Sequence, residues 1–390
     1  MWRLGSETGA RSAFLSGAWA GGLAAVGLAL VAALSRQLGS VAPFLVSAVA
    51  LAVLAGVVGR SVDQLSDHLG PGALGVLQSA LGNLPELFVC TFALRHGLTT
   101  VVAAALIGSI LGNLLLVLGL AFVVGGRRHG TLRYSELRAR MIMSLLILSV
   151  AAMFVPSLAH YVGAAAGSHE VALSRVTAVV LLAVFALSVP VSLRREERNA
   201  PERQEGEIEA ETAAEGAAGR VAAGGERGEP EQASPDTAWP LPVALVVLVV
   251  SALLAAYVSD LFVDALQPAM TRLHINEVFA GLVIVAIAGN AVENAVGVKL
   301  AWRRKTDHAL AVILNSPLQI AVVLAPALVL LSPLIGGPPF TLVFSPMLMA
   351  SVGIAVGSVA FLVSDGASDW LEGATMIGLY ILIAASFWWG

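Results

Sequence analysis

Two short polar motifs within apolar sequence determine the expected fold. The stretch G-N-L-P-E at residues 82–86 has a near copy, G-N-A-V-E, at residues 289–293. Each motif is followed by a serine that opens a second polar cluster. The spacing is 23 residues in both copies, from Glu86 to Ser109 and from Glu293 to Ser316. Two matched motifs with one common spacing indicate that the chain consists of two related halves.

The composition of the chain is typical of a membrane protein. Hydrophobic residues make up 57% of the sequence and charged residues only 12%, and the mean hydropathy is +0.85. A soluble domain carries about 25% charged residues. Here the apolar residues form long unbroken runs, which are typical of helices that cross a lipid bilayer. The net charge of −4 indicates no nucleic-acid partner.

Eleven apolar segments reach the roughly 20 residues that a membrane-spanning helix needs. They lie at about 13–34, 42–69, 73–95, 99–124, 137–159, 170–193, 239–266, 275–301, 307–331, 340–363 and 370–389. The polar stretch 194–238 is rich in Glu, Ala and Gly and contains twelve acidic residues, which predicts a disordered acidic linker. The predicted domain plan is an N-terminal helix (1–41), a first five-helix repeat (42–193), the linker (194–238) and a second five-helix repeat (239–390).

The number of crossings between the motifs predicts their relative orientation. Five predicted crossings separate the motifs, and an odd number places the two copies in opposite directions. The expected fold is therefore an all-α membrane protein with one extra N-terminal helix and two inverted five-helix repeats. Sixteen basic residues fall on the N-terminal side of the membrane and four on the other. This bias predicts a bacterial inner-membrane protein with a cytoplasmic N-terminus and linker and an external C-terminus.

The motifs carry the candidate site. An acidic residue at membrane depth is costly and is a functional candidate by default, and each motif holds one such residue, Glu86 or Glu293. Residues three or four apart share a helix face, so amides and hydroxyls accompany both carboxylates. An all-oxygen shell suits a hard cation such as Ca²⁺. The predicted cation- and proton-binding residues are Glu86, Glu293, Asn83, Asn290, Ser109, Asn113, Ser316 and Gln319.

Two prolines lie beside these polar residues. Because proline lacks an N–H, Pro85 is expected to leave the carbonyl of Leu81 free within the first motif helix, and Pro317 that of Ile313 in the later one. Free carbonyls at membrane depth are tolerated where they line a wet cavity. We therefore expect additional oxygen ligands at these positions.

The same residues favour exchange over other forms of transport. The chain has no Walker motif and no aspartyl-phosphate signature, so neither ATP hydrolysis nor another enzymatic reaction is indicated, and no cofactor is expected. Burial favours a protonated carboxyl group, whereas a bound cation favours the ionised form. Two glutamates can thus hold one divalent cation or two protons. The empty, doubly charged site is unfavourable at low dielectric, and this makes exchange obligatory.

Acidic residues outside the motifs are secondary candidates. Asp63, Asp67, Asp260 and Asp264 lie in the helices before the motifs and could form an access path for cations, or they could be solvated acids at the membrane edge. The pair Asp369 and Glu372 is expected to cap the last helix. The linker acids are interpreted as a solvated tether, with a weak cation-concentrating patch as the alternative.

The motifs together resemble a known family. The stretches L-G-N-L-P-E-L-F-V-C (81–90), G-S-I-L-G-N (108–113), I-A-G-N-A-V-E-N-A (287–295) and N-S-P-L-Q-I-A (315–321) resemble the Ca²⁺/H⁺ antiporters, the cation/proton exchanger (CAX) branch of the Ca²⁺/cation antiporter superfamily. The resemblance implies an eleven-helix fold, Ca²⁺ transport driven by protons, and Glu86 and Glu293 alternating between cation and proton. Leu84-Pro85 and Asn294 depart from the usual family pattern, and a proline before the first glutamate resembles the Na⁺/Ca²⁺ exchanger branch.

Two alternatives to Ca²⁺/H⁺ exchange are retained. One is a Na⁺/Ca²⁺ exchanger of the same fold, and the other is a membrane scaffold or sensor without transport activity. Two buried glutamates in duplicated motifs have no use in a scaffold. The expected partners are Ca²⁺, H⁺ and the lipid bilayer, and the sequence leaves a homo-oligomer open.

Overall fold

The computed structural model describes residues 27, 31, 39, 41–66, 81–187 and 239–389. Within these ranges the side chains of Asp63, Val292 and Glu293 are not described. The predicted N-terminal helix falls almost wholly outside the described residues, as do the linker at 194–238, Asp67 and Gly390.

The described chain is almost entirely helical. We number its helices in chain order as α1 (Val41–Ser66), α2 (Leu84–Arg95), α3 (Thr99–His129), α4 (Glu136–Val162), α5 (Ala165–Leu187), α6 (Leu241–Leu273), α7 (Glu277–Trp302), α8 (Thr306–Ile335), α9 (Pro346–Leu362) and α10 (Trp370–Trp388). Eight helices of the described ranges are long and apolar enough to cross a membrane, and α7, which bends by 64°, would make nine. The predicted all-helical membrane class is confirmed.

Three of these helices contain a turn of π-helix. The wider turns lie at Gly112–Val117 in α3, Ala280–Val285 in α7 and Ile320–Leu324 in α8. A π turn inside an α-helix often marks a functional site, because it shifts the side-chain register. In α3 the wider turn begins three residues after Ser109 and contains Asn113, and in α8 it begins immediately after Gln319.

Helices α3 and α7 pack with their backbones in contact. A methyl group added to Gly108 would lie 2.1 Å from the carbonyl oxygen of Leu282, and one added to Gly281 would lie 2.4 Å from that of Val101. Real Cβ atoms do not come this close, so only glycine fits at either position. The close crossing brings the polar cluster of α3 beside the second motif on α7.

One end of the bundle carries five arginines at the α3–α4 connection, and we call it the arginine-rich end. They are Arg127, Arg128, Arg133, Arg138 and Arg140. Here strand β1 (Leu132–Arg133) pairs antiparallel with strand β2 (Ala367–Ser368), which joins the α3–α4 and α9–α10 connections. The α7–α8 connection lies at the same end, since Asp307 accepts a hydrogen bond from the Ser135 N–H at 2.7 Å. The guanidinium of Arg128 stacks over the ring of Trp302 at 4.1 Å.

Tyr134 secures the strand pair at the arginine-rich end. Its hydroxyl lies 2.8 Å from Ser368 Oγ and also donates to the carbonyl of Ala367. Burial raises the pKa of Tyr134 to about 12, with smaller contributions from the charges of Asp365 and Glu372, although the Ser368 hydrogen bond lowers it. Tyr134 is therefore a neutral hydrogen-bonding group in the folded protein.

The opposite end of the bundle contains a non-helical segment, residues 336–345, in which Phe340, Leu342 and Phe344 are buried. Its backbone N–H groups at Phe340, Leu342 and Phe344 donate to the hydroxyls of serines on α8, α5 and α4, which are Ser332, Ser174 and Ser157. The prediction of a helix from residue 340 is wrong for this segment: α9 begins only at Pro346. Gly336 ends α8 with a left-handed backbone conformation, and the G-P-P that follows at residues 337–339 is not helical.

The last helix begins as expected. The Asp369 side chain accepts hydrogen bonds from the backbone N–H groups of Leu371 and Glu372, and the Glu372 side chain accepts one from the Asp369 N–H. This reciprocal arrangement is a capping box, which satisfies N–H groups of the first turn. The predicted capping role of Asp369 and Glu372 is confirmed.

Candidate ion-binding site

Glu86 lies at the beginning of a helix. Residues Gly82 and Asn83 form a turn, α2 starts at Leu84, and Glu86 is in its first turn. Pro85 therefore also occupies the first turn, where a missing N–H leaves no hydrogen bond unmade. This corrects the expectation that Pro85 sits in a helix interior, because the helix is broken before it. A helix N-terminus carries partial positive charge and favours a carboxylate.

Two polar side chains from two other helices converge at the carboxylate of Glu86. The hydroxyl of Ser109 on α3 donates to Glu86 Oε1 at 2.6 Å. The amide of Asn290 on α7 donates to the same oxygen and lies 2.9 Å from Ser109 Oγ. Since the first motif and the second motif meet at one oxygen atom, the two halves of the chain share this site.

Two further hydrogen bonds join residues of the first half to α8. Asn113 Nδ2 donates to Ser316 Oγ at 3.2 Å and to the Ser109 carbonyl at 3.0 Å. Asn83 Nδ2 donates to Gln319 Oε1 at 3.2 Å. Pro317 lies inside α8 between these partners, as the sequence predicts. The bonds to Ser316 and Gln319 therefore tie the first half of the chain to α8 beside the motif residues.

The site is closed to solvent in this conformation. Glu86 is 6% exposed, and Ser109, Asn113, Asn290 and Ser316 are all buried. A cavity of about 10 Å³ touches Glu86, Ser109 and Gly289. That space is close to the minimum for one water molecule, so it suits a small dehydrated ion and excludes a hydrated one.

Gly289 allows α7 to approach the carboxylate closely. A Cβ atom at this position would lie 2.7 Å from Glu86 Cγ and 3.2 Å from its Oε1. The glycine that precedes Asn290 in the second motif therefore has a steric role at the site. The cavity is also lined by Cys90, one turn along α2 from Glu86.

The structure brings together seven of the eight residues predicted for the site. Glu86, Ser109 and Asn290 form one group, Asn113 and Ser316 continue it, and Asn83 and Gln319 form a neighbouring pair. The eighth, Glu293, lies in α7 three residues after Asn290, and its side chain is outside the described residues. Its direct participation stays a prediction.

The structure describes only some of the acidic residues predicted to form an access path. Asp260 and Asp264 lie side by side on α6, where His96 Nε2 is 4.0 Å from Asp260 Oδ1 and 3.5 Å from Asp264 Oδ1. Asp63 lies in α1, but its side chain is not described, and Asp67 is outside the described residues. Sequence reasoning did not single out His96, because its partners come from a helix more than 160 residues later in the chain.

The residues around Glu86 can hold a cation if the side chains that now donate hydrogen bonds rotate to present their oxygen atoms instead. Hydroxyl oxygens, amide oxygens and a carboxylate are the ligands that hard divalent cations prefer. The groups that face Glu86 as donors, Ser109 and Asn290, can each offer an oxygen after a rotation of the hydroxyl or the amide. A helical membrane bundle with a buried carboxylate held between its two halves defines the class of secondary cation transporters.

Comparison with known proteins places the chain within this class. The chain belongs to the family described as sodium/calcium exchanger protein, which matches residues 39–194 and 243–389. The resemblance to the Ca²⁺/cation antiporters is confirmed by this match and by curated relatives. These relatives are transporters, which agrees with the prediction of a non-enzymatic protein.

Two curated relatives cover nearly the whole chain. A Ca²⁺/H⁺ antiporter of Synechocystis sp. is 34% identical over 362 residues, which are 90% of this chain and 91% of the relative. The Ca²⁺/H⁺ antiporter ChaA of Bacillus subtilis is 34% identical over 349 residues, 88% of this chain and 91% of the relative. The solved structure of native YfkE superposes with a TM-score of 0.75 at 28% identity, covering 96% of this chain and all of that one.

Proposed function

We propose that this protein is a secondary active antiporter that exchanges Ca²⁺, or a similar divalent cation, for protons across a bacterial inner membrane. The two relatives described above, which cover nearly the whole chain, are Ca²⁺/H⁺ antiporters. The observation that carries the proposal is the Glu86 carboxylate, buried among a hydroxyl from its own half and an amide from the other.

Glu86 and Glu293 are proposed to alternate between two loads. With a divalent cation bound, both carboxylates are ionised and their charges are balanced. With two protons bound, both are neutral, and Ser109 and Asn290 provide the hydrogen bonds that replace the cation. Either load leaves the site nearly neutral, so the protein can reorient the site through low-dielectric surroundings. The empty site carries two negative charges and cannot be reoriented in this way.

The proposed scaffold is one N-terminal helix followed by two inverted five-helix repeats, eleven helices in all. Gly108 lies against Leu282, and Gly125 lies against Ala301, so α3 and α7 run in the same direction. Helices α2 and α3 are joined by a turn of three residues, 96–98, and reverse direction there. The two motif helices, α2 and α7, therefore run in opposite directions, which supports inverted repeats.

The proposed orientation puts the arginine-rich end in the cytoplasm. Positively charged connections remain on that side of bacterial inner membranes. Asn276, between α6 and α7, donates to the carbonyl of Phe387, so the end of α10 lies beside the α6–α7 connection and away from the arginine-rich end. This geometry supports an external C-terminus and, with the predicted helix at 13–34, a cytoplasmic N-terminus.

The decisive experiment measures Ca²⁺ flux in proteoliposomes under an imposed pH gradient and then under a Na⁺ gradient. We expect the pH gradient to drive Ca²⁺ uptake and the substitution Glu86→Gln to abolish it, since one carboxylate cannot balance a divalent cation. Glu277→Gln is the matched control, because Glu277 also lies in the first turn of a helix but is exposed. Normal flux in Glu86→Gln would refute the two-carboxylate mechanism.

The pH dependence of Ca²⁺ affinity distinguishes proton coupling from sodium coupling. If two protons compete with each Ca²⁺, apparent affinity falls by up to about a hundredfold per pH unit once both glutamates bind protons, since each proton contributes about 1.4 kcal/mol per unit. The proline before Glu86 is the feature that favours the Na⁺/Ca²⁺ alternative. Uptake that needs a Na⁺ gradient and ignores pH would establish that alternative instead.

A further inference from the structure

A cluster of three potential metal ligands lies outside the candidate ion-binding site. His96 occupies the turn that follows α2, and Asp260 and Asp264 lie one helical turn apart on α6. One ligand atom from each of the three residues lies within 4.8 Å of the other two. All three side chains are about 40% exposed, so the cluster lies at the surface of the protein.

We propose that His96, Asp260 and Asp264 form a binding site for a borderline divalent metal such as Zn²⁺, which bridges α2 and α6. Ligand atoms around a tetrahedral Zn²⁺ are separated by about 3.4 Å, given metal–ligand distances near 2.1 Å. The separation of His96 Nε2 and Asp264 Oδ1 is 3.5 Å, and that to Asp260 Oδ1 is 4.0 Å. Rotation of exposed side chains is enough to close the remaining difference.

The ligand types favour a borderline metal over Ca²⁺. One imidazole and two carboxylates match the His and carboxylate sets that bind Zn²⁺, with water completing the coordination. Ca²⁺ takes six to eight oxygen ligands, and this cluster offers a nitrogen and too few oxygens. Two aspartates at i and i+4 also repel each other across one helix face, and a bound cation would relieve that repulsion.

A metal at this position would act on transport through the helices that it joins. Helix α2 carries Glu86, and α6 packs on both α1 and α2. Alternating access requires helices around the ion site to move relative to one another. A metal bridge between α2 and α6 opposes such movement, so Zn²⁺ at this surface inhibits exchange; this consequence rests on the proposed antiporter function, whereas metal binding itself does not.

Zn²⁺ titration of the full-length protein in detergent micelles tests the site without any need for transport. By calorimetry in the presence of excess Ca²⁺, we expect wild-type protein to bind one Zn²⁺ more than the His96→Gln and Asp264→Asn variants. Both positions are exposed, and the His96 backbone bonds do not depend on its side chain. The matched control is His160→Gln, because within the described part of the chain His160 has one acidic partner, Glu170, and that pair is also exposed. This control should bind Zn²⁺ as the wild type does.

Two further measurements complete the test. Zn²⁺ should raise the melting temperature of wild type and His160→Gln but not of His96→Gln, since a ligand stabilises the state that binds it. Glu86→Gln should retain Zn²⁺ binding even with transport abolished, which separates this proposal from the antiporter mechanism. Equal Zn²⁺ binding by wild type and by both cluster variants, or displacement of Zn²⁺ by equimolar Ca²⁺, would overturn the proposal.

Discussion

Replacing Gly289 with alanine tests how closely α7 must approach the carboxylate of Glu86. The alanine Cβ would lie 2.7 Å from Glu86 Cγ, whereas ordinary contacts begin at 3.4 Å. Because the interior around the site is closely packed, the Glu86 side chain must retreat by about 0.7 Å. The substitution therefore moves the carboxylate without removing any polar group.

The size of the effect follows from the cation ligand that this movement displaces. Glu86 is a proposed ligand, and Ca²⁺–oxygen distances span only about 2.3–2.6 Å. A retreat of about 0.7 Å takes the carboxylate out of that range. A charge-assisted contact of this kind contributes about 1.5–3 kcal/mol, which is roughly a 10- to 150-fold change in an equilibrium constant. We expect the Ca²⁺ concentration for half-maximal exchange to rise by at least about tenfold.

The assay is Ca²⁺-dependent proton movement in proteoliposomes over a range of Ca²⁺ concentrations. Gly112→Ala is the matched control, because Gly112 also lies in a helix beside the site, next to Asn113, but an added Cβ there meets no atom within 4 Å. Both changes alter the unfolded chain in the same way. Wild-type Ca²⁺ dependence in a correctly inserted Gly289→Ala protein, or an equal loss in the control, would refute the steric argument.

Three other predictions concern the linker, the topology and the arginine-rich end. Deleting Glu202 to Glu231 should leave proteoliposome exchange intact because this composition cannot form a core, and total loss in a well-inserted mutant would show a structural role. In a variant that lacks the native Cys90, a cysteine introduced near Arg128 should react with a thiol reagent only from the cytoplasm, and one introduced at Gly390 only from outside. Labelling of both cysteines from one side would contradict the topology. Since the pKa of Tyr134 is raised to about 12 from an ordinary value of 10, its contribution to stability is present below pH 10 and is lost as pH rises toward 12. Melting temperatures from pH 9 to 12 should fall less steeply in a Tyr134→Phe variant, and parallel curves would contradict this.

The residues of the candidate ion-binding site could be predicted from the sequence because the motif occurs twice. A single asparagine at membrane depth is more often a packing residue, but Asn83 and Asn290 precede their glutamates by the same three residues. The structure places Asn290 on Glu86 and Asn83 on Gln319, so each half supplies partners to the other. Helical periodicity predicted that each asparagine shares a helix face with its glutamate. The duplication of the motif predicted that the two halves meet at one site.

The features that were missed depend on chain breaks and on contacts across helices. Pro85 was assigned to a helix interior because hydropathy continues through the break at Gly82 and Asn83. Apolar composition likewise suggested a span from residue 340, although serine hydroxyls hold this stretch in a non-helical form. His96 meets Asp260 and Asp264 only through tertiary packing. Hydropathy reports burial in lipid and carries no information about such pairings.

The serine-held segment at residues 336–345 sets an order of events during synthesis. Its partners Ser157 and Ser174 precede it by 168 to 187 residues. At about 5–20 residues per second, the ribosome needs roughly ten to forty seconds to make the intervening chain. During that interval the two hydroxyls can form hydrogen bonds only with nearby groups. Serines in helices typically donate to the backbone carbonyl one turn earlier. The first half is therefore in the membrane before its hydrogen bonds to residues 342 and 344 can form. Helices α4 and α5 reach their final packing only after the second half has been synthesised and inserted.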